Sequence, residues 1–270
     1  MPLDFALEAG FDDPVCGVDE VGRGPWAGPV MACAVVIDID RIPRDIVQAI
    51  DDSKRLSAPR RAELSLALRA CTDFSLAVAS VEEIDALNIL QATGLAMRRA
   101  VDGLKTRPIH ALVDGNRRMG LPCPETPIVK GDGRCLSIAA ASIIAKTYRD
   151  QLMVELDKAY PRYGFAQHKG YCTPAHMEAI KRYGPSGVHR KSFAFIQELC
   201  GQYSGLFYRL RSKLLKAATA TELRTFQEEF CGRRAELGPD ERRKISLLLA
   251  RRRVRNQPTL FSASLHEYDD

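Results

Sequence analysis

Gly17-Val18-Asp19-Glu20-Val21-Gly22-Arg23-Gly24 leaves an apolar segment, presents two adjacent carboxylates and turns on two glycines that flank an arginine. Adjacent carboxylates repel, so a fold holds them at a strand end mainly where cations or a polar shell compensate. Glycine lets the backbone come close to a ligand and permits positive φ. The guanidinium is a planar fork that matches phosphate. The stretch reads as a divalent-metal site beside a phosphate-bearing substrate. It reads equally well as an ordinary strand-to-turn junction, and its surroundings must decide.

Outward from this stretch the pattern is α/β. Residues 15–18 and 30–37 are rich in Val and Ile and read as strands. Residues 59–71 read as a helix with Pro59 at its start. Residues 74–81 alternate as a strand, and residues 82–104 carry helical spacing in Ile84, Leu87, Leu90, Leu95 and Met97. Short strands at 110–113 and 127–129 run into Asp114-Gly115-Asn116 and Lys130-Gly131-Asp132, and residues 136–160 form one long helix. Strands and helices in this order predict a central sheet with helices packed on it.

Asp19, Glu20, Asp114 and Asp132 then all fall at or just beyond strand ends, the usual place for a site in an α/β fold. Hard oxygen ligands suit Mg2+ or Mn2+, and two such ions ~3.5–4 Å apart are a common device for phosphodiester hydrolysis. Asp, Asn and Gly are also plain turn residues, which accounts for each of these motifs singly better than for all of them together.

Composition narrows the class. The chain of 270 residues is 46% hydrophobic and 27% charged, enough for one sizeable domain and an appendage. No apolar run approaches the ~18–20 residues of a membrane span. The first ten residues lack the basic start of a signal peptide. The eight cysteines include no Cys-x-x-Cys pair, so reduced thiols in a cytoplasmic protein are expected and a structural zinc site is not. Residues 1–204 hold 25 Lys+Arg against 25 Asp+Glu, whereas residues 205–256 hold 14 against 6. Such an excess suits a polyanion, and it also fits a solvated helical face. Residues 206–218, 220–237 and 239–255 read as helices, two of them with acids in the first turn, where the dipole favours them. The expected organisation is a catalytic domain over 1–204, a basic helical extension over 205–255 and a flexible tail over 256–270.

The ordered motifs Asp19-Glu20-Val21-Gly22-Arg23-Gly24, Asp52-Ser53-Lys54-Arg55-Leu56, Val113-Asp114-Gly115-Asn116, Lys130-Gly131-Asp132, Ser137 through Lys146, His168-Lys169-Gly170-Tyr171 and His189-Arg190-Lys191-Ser192-Phe193 resemble bacterial ribonuclease HII, the type 2 ribonucleases H. The resemblance spans roughly residues 13–200. It implies a ribonuclease H-like fold, a central mixed sheet flanked by helices, followed here by a C-terminal helical extension. It implies Mg2+- or Mn2+-dependent hydrolysis of RNA in RNA–DNA hybrids and incision at single ribonucleotides in duplex DNA, leaving 5′-phosphate and 3′-hydroxyl ends. The family's metal-binding acids correspond to Asp19, Glu20, Asp114 and Asp132. Its 2′-hydroxyl sensor corresponds to Gly22, Arg23, Gly24 and Tyr171.

Lys54, Ser142, Lys146 and Arg190 are expected at phosphates, although Asp150 offers Lys146 an ordinary ion pair at i+4. Gln257-Pro258-Thr259-Leu260-Phe261 resembles the peptide by which bacterial repair proteins dock on the sliding clamp, with Gln257, Leu260 and Phe261 as its anchors. A monomer is expected. Two rivals stand beside this reading. A DNA-junction nuclease of the same fold would need no 2′-hydroxyl sensor, and a non-catalytic binding module would not need all four acids.

Overall fold

The structure, a computed structural model, describes residues 5–12, 14–51, 57–199 and 203–255. Its sheet has five strands in the order β3-β2-β1-β4-β5. β1 (Val15–Val21) and β2 (Val30–Val36) pair antiparallel, as do β2 and β3 (Asp73–Ala79). β4 (His110–Asp114) pairs parallel with β1, and β5 (Glu125–Ile128) parallel with β4. The sheet is therefore mixed, with helices on both faces, as the resemblance implies.

Period-two alternation sorts the side chains between those faces. In β2, Cys33 and Val35 pack towards α1 (Arg44–Asp51), α2 (Ala58–Cys71) and α5 (Leu136–Ala159). Ala32 and Ala34 pack the other way, with Ile84 of α3 (Val81–Leu87) and Met97 of α4 (Ile89–Asp102). β1 and β2 are buried on both faces along most of their length, so they read as near-continuous apolar runs.

The single helix expected over 82–104 is two. Asn88 adopts φ 73° and its side chain accepts from the backbone N–H groups of Leu90 and Gln91. It thus ends α3 and caps α4, a left-handed position that Asn tolerates better than most residues. Ser80 caps α3 in a reciprocal box with Glu83. Short helices α6 (Phe165–His168), α7 (Pro174–Tyr183) and α8 (Ala194–Leu199) follow α5.

α5 lies hard against β1. A Cβ on Gly17 would sit 2.2 Å from the Ser137 carbonyl carbon, inside the backbone of the helix. Buried Glu8 reaches the same helix start, accepting from the Ser137 N–H and hydroxyl at 2.8 Å each, where a carboxylate complements the helix dipole.

Two compact units make up the chain, Met1–Ile196 and Gln197–Asp270. The second contains α9 (Gly205–Lys216), α10 (Ala220–Arg233) and α11 (Pro239–Arg255). α9 packs on both other helices, and Phe207, Leu210, Leu214, Phe226, Phe230 and Ile245 are buried. Among the described residues no helix is long and apolar enough to cross a membrane, and the described cysteines are free.

Gly17→Ala must push α5 off β1. We expect a loss of about 3 kcal/mol or more in urea unfolding, against a small change for Gly10→Ala, where a Cβ meets nothing within 4 Å.

Candidate active site

The parity that buries Cys16 and Val18 towards α4 turns Gly17 and Asp19 towards α5. The same holds in β4, where Ala111 and Val113 face α4 and Leu112 packs with Ile138 of α5. Val18 is in parallel register with Val113, so Asp19 and Asp114 follow as same-face neighbours at the ends of adjacent strands. Gly131 ties the next loop to them, its N–H donating to Asp114 Oδ1 at 2.7 Å. Asp132, half-buried in the turn Gly131–Gly133, comes directly after that contact.

Asp19 is 6% exposed. Its carboxyl is pushed up to about 8, chiefly by burial, with the charges of Glu20 and Asp114 adding and a Ser142 hydrogen bond opposing. Burial raises Glu20 too, opposed by Arg23, whose Nη1 donates to Glu20 Oε1 at 3.1 Å. The Glu20 N–H donates to Asp19 Oδ1 at 2.7 Å.

Among the described residues no three His, Cys, Asp or Glu side chains form a ready-made ligand shell. Each of Asp19, Glu20 and Asp114 instead engages a separate neighbour. The donor set nonetheless fits a hard divalent cation. It is all oxygen, it converges on two adjacent strand ends, and burial with neighbouring carboxylates destabilises the charge of Asp19 and Glu20 in the way a cation would relieve.

The loop after Glu20 is held from behind by two buried arginines. Arg190 donates from Nε to the Gly28 carbonyl and from Nη1 to the Arg23 carbonyl, both at 2.9 Å, and from Nη2 to the Gly22 carbonyl. Arg149 of α5 donates to the carbonyls of Ala27 at 3.2 Å and Lys169 at 3.1 Å. Both side chains are fully buried, and burial pushes Arg190 down to about 9, with the Arg149 charge adding. Gly22 has φ 90°, and a Cβ there would lie 2.1 Å from Arg149 Nε, so glycine is the residue that fits.

The residues expected at phosphates are placed differently from one another. Arg190 lies behind the loop, with its donors engaged by carbonyls. Ser142 hydrogen-bonds Asp19. Lys146 pairs with Asp150 at 2.6 Å, which also receives Arg61 at 3.2 Å. Lys54 lies outside the described residues, as do Gln257, Leu260 and Phe261.

Tyr171 stands beside the loop, 42% exposed, with ring Cε1 3.6 Å from where a side chain on Gly24 would begin. Its segment is joined to the loop by the Trp26 N–H to Gly170 carbonyl bond at 2.8 Å. Behind it runs a chain of histidines with one self-consistent set of protons. The Ser186 N–H donates to His189 Nδ1 at 2.8 Å, which leaves the His189 proton on Nε2. That nitrogen faces His176 Nε2 at 3.0 Å, and His176 Nδ1 donates to the Tyr171 carbonyl at 2.9 Å. His168 Nε2 donates to the Tyr163 carbonyl at 2.7 Å while its Nδ1 accepts from the Gly170 N–H at 3.2 Å.

The sequence motifs do not single out Arg149, the joining of the histidines into a chain, or Asp85, which accepts from the N–H groups of Lys191 and Ser192. A signal for Arg149 exists: it lies seven residues after Ser142, on the same face of α5.

Burial, the largest cause, pushes His176 and His189 down to about 4 each. Between pH ~6.5 and ~4 the unfolded chain therefore binds protons that the folded chain refuses, and stability falls as pH drops through that window. We expect the unfolding free energy from urea titration to fall across it by up to about 3 kcal/mol per ring. His176→Gln should flatten the fall, and an unchanged profile would show that the rings charge freely in the folded state.

Residues 16–196 match the family model described as Ribonuclease HII. A ribonuclease HII of Jannaschia sp. (strain CCS1) is 55% identical over 203 residues, which are 74% of this chain and 100% of that protein. Among solved structures, ribonuclease H2 from Pyrococcus horikoshii OT3 superposes with a TM-score of 0.61 at 26% identity, covering 73% of this chain and 99% of that one. The RNase HII of a PCNA complex from Archaeoglobus fulgidus does so with a TM-score of 0.56 at 25% identity, covering 68% of this chain and 96% of that one. The strand-end acids thus stand in a ribonuclease H-like fold, and the chain belongs to the ribonuclease HII family of endoribonucleases.

Proposed function

We propose that the chain hydrolyses the RNA strand of RNA–DNA hybrids and incises on the 5′ side of single ribonucleotides in duplex DNA, as a monomer acting in ribonucleotide removal in the cytoplasm. The observation that carries this is the convergence of Asp19, Glu20 and Asp114 on adjacent parallel strand ends, beside a loop backed by Arg149 and Arg190.

Asp19, Glu20, Asp114 and Asp132 would hold Mg2+ or Mn2+. Bound there, such ions supply positive charge to the scissile phosphate and lower the pKa of attacking water. The protein's own part is orientation. Ser142 fixes Asp19, the Gly131 N–H fixes Asp114, and Arg23 holds Glu20 without removing its charge. With the carbonyls of Gly22 and Arg23 engaged by Arg190, the opposite edge of the loop is left to meet a 2′-hydroxyl, the group that separates RNA from DNA. Tyr171 would pack on the adjoining sugar.

The deciding experiment is cleavage of a labelled DNA duplex containing one ribonucleotide, with Mg2+, with EDTA and with Asp114→Asn. We expect metal-dependent 5′ incision, reduced in the variant by more than the about 10–100-fold typical of losing an outer-shell partner. Cleavage of long hybrids alone would remove the sensor role of Gly22, Arg23, Gly24 and Tyr171. Cleavage of neither substrate would leave a binding module.

A solved relative is a PCNA complex, which supports a clamp interaction, and Gln257, Leu260 and Phe261 form the tail motif proposed to make it. Leu260→Ala with Phe261→Ala should then abolish pull-down of the full chain by a bacterial sliding clamp, and retained capture would place the contact elsewhere.

A further inference from the structure

The second unit is basic along its length, and its cations are densest at one end. α9 and α11 run parallel. At their starts, Glu241 of α11 accepts from the Ser204 N–H, the cap residue of α9, and Tyr203 Oη donates to Asp240 at 3.0 Å. At their ends, the Arg252 guanidinium donates to the Leu215 carbonyl.

The two C-termini therefore share one end of the unit. That end holds Lys213 and Lys216 of α9 and the closing Arg251-Arg252-Arg253-Val254-Arg255 of α11. The acids of α11, Asp240 and Glu241, lie at the opposite end, where Arg242, Arg243 and Lys244 follow them and Asp240 pairs with Arg243 and Lys244. The short link from α9 also brings the start of α10 to the basic end, where a cleft of 270 Å³ is lined by Lys213, Lys216, Thr221, Glu222 and Thr225.

Helix capping alone does not account for this charge. Each helix C-terminus carries about half a negative charge, and the α10 N-terminus about half a positive one. The end therefore needs less than one cation, and it has six. Glu229 pairs with Lys213 and Glu222 closes the α10 capping box with Thr219. Among the described residues, setting those two acids against the cations still leaves a clear surplus.

We propose that this basic end is a second nucleic-acid contact, docking the phosphate backbone of a duplex without reading its sequence. Charge complementarity selects the partner. A duplex presents one phosphate charge per ~1.7 Å, and its neutralisation releases counterions. A family that acts on nucleic acid brings such a duplex to this chain. The site lies outside residues 16–196, the span shared with the family, so it is an addition to the common machinery. The proposal rests on the nucleic-acid substrate proposed above.

The test is fluorescence anisotropy of the full chain on a labelled, ribonucleotide-free DNA duplex of about 30 base pairs in EDTA, from ~50 to ~200 mM salt. The variant is Lys216→Gln, Arg251→Gln, Arg253→Gln and Arg255→Gln together. We expect Kd to weaken about tenfold or more and the slope of log K against log salt to shrink by about 0.9 for each phosphate that is no longer neutralised. A second variant, with Arg251, Arg253 and Arg255 each changed to Lys, should bind as the parent does, and matching circular dichroism melts would exclude unfolding. A Kd within about twofold of the parent with an unchanged slope overturns the proposal. Failure of the parent to incise a ribonucleotide-containing duplex would instead strike the nuclease reading, and the anisotropy result would still decide this one.

Discussion

The contact of α5 with β1 at Gly17 governs the rest of the catalytic unit. Because no side chain separates helix from strand there, the two run side by side in fixed register. Ser137 sits over Gly17, Ser142 reaches Asp19, and Arg149 backs Gly22. Twelve helical residues from Ser137 to Arg149 advance about 18 Å. Five extended residues from Gly17 to Gly22 advance about 17 Å. The helix thus acts as a ruler laid along the strand, with Ser137, Ser142 and Arg149 as marks on it.

The electrostatics of the two halves of this site are opposed by construction. In front, burial together with the charges of Glu20 and Asp114 raises the cost of charge on Asp19, and burial with the Asp114 charge raises it on Glu20. Behind the loop, two guanidiniums are buried against carbonyl oxygens. Asp150, the acid next to Arg149, is already engaged by Lys146 and Arg61. Carbonyl dipoles satisfy the guanidinium donors without cancelling their charge. Among the described residues no carboxylate forms an ion pair with either guanidinium, so positive charge lies under the backbone while negative charge crowds the strand ends.

Most of the fold was legible because its signals are local. β-branched runs marked the strands, and the long apolar-then-amphipathic stretch marked α5. The acids at strand ends drew attention as a set. What escaped was set by tertiary context. The break at Asn88 depends on one residue taking a left-handed conformation inside an otherwise helical pattern. Arg190 sits in a motif that also suits a surface phosphate ligand, and only the return of its segment beneath the Gly22–Gly28 backbone shows where its donors go. The histidine chain joins residues from separate turns whose spacing carries no period. A buried network of this kind has no sequence signature beyond its residue types.

The loop that carries Gly22, Arg23 and Gly24 is joined to segments far along the chain. Trp26 bonds to Gly170, Gly28 to Val188 and Arg190 to Trp26, all backbone to backbone, and the imidazoles of His176 and His189 link the two outer segments behind it. The result is a closed ring of three strips of chain, bound together by hydrogen bonds that leave the loop little freedom of its own. In engineering terms, the transferable part is that ring together with the face of α5 beneath it. Grafting the eight residues from Gly17 to Gly24 onto another scaffold would carry over the letters of the motif and leave behind the frame that gives them their shape.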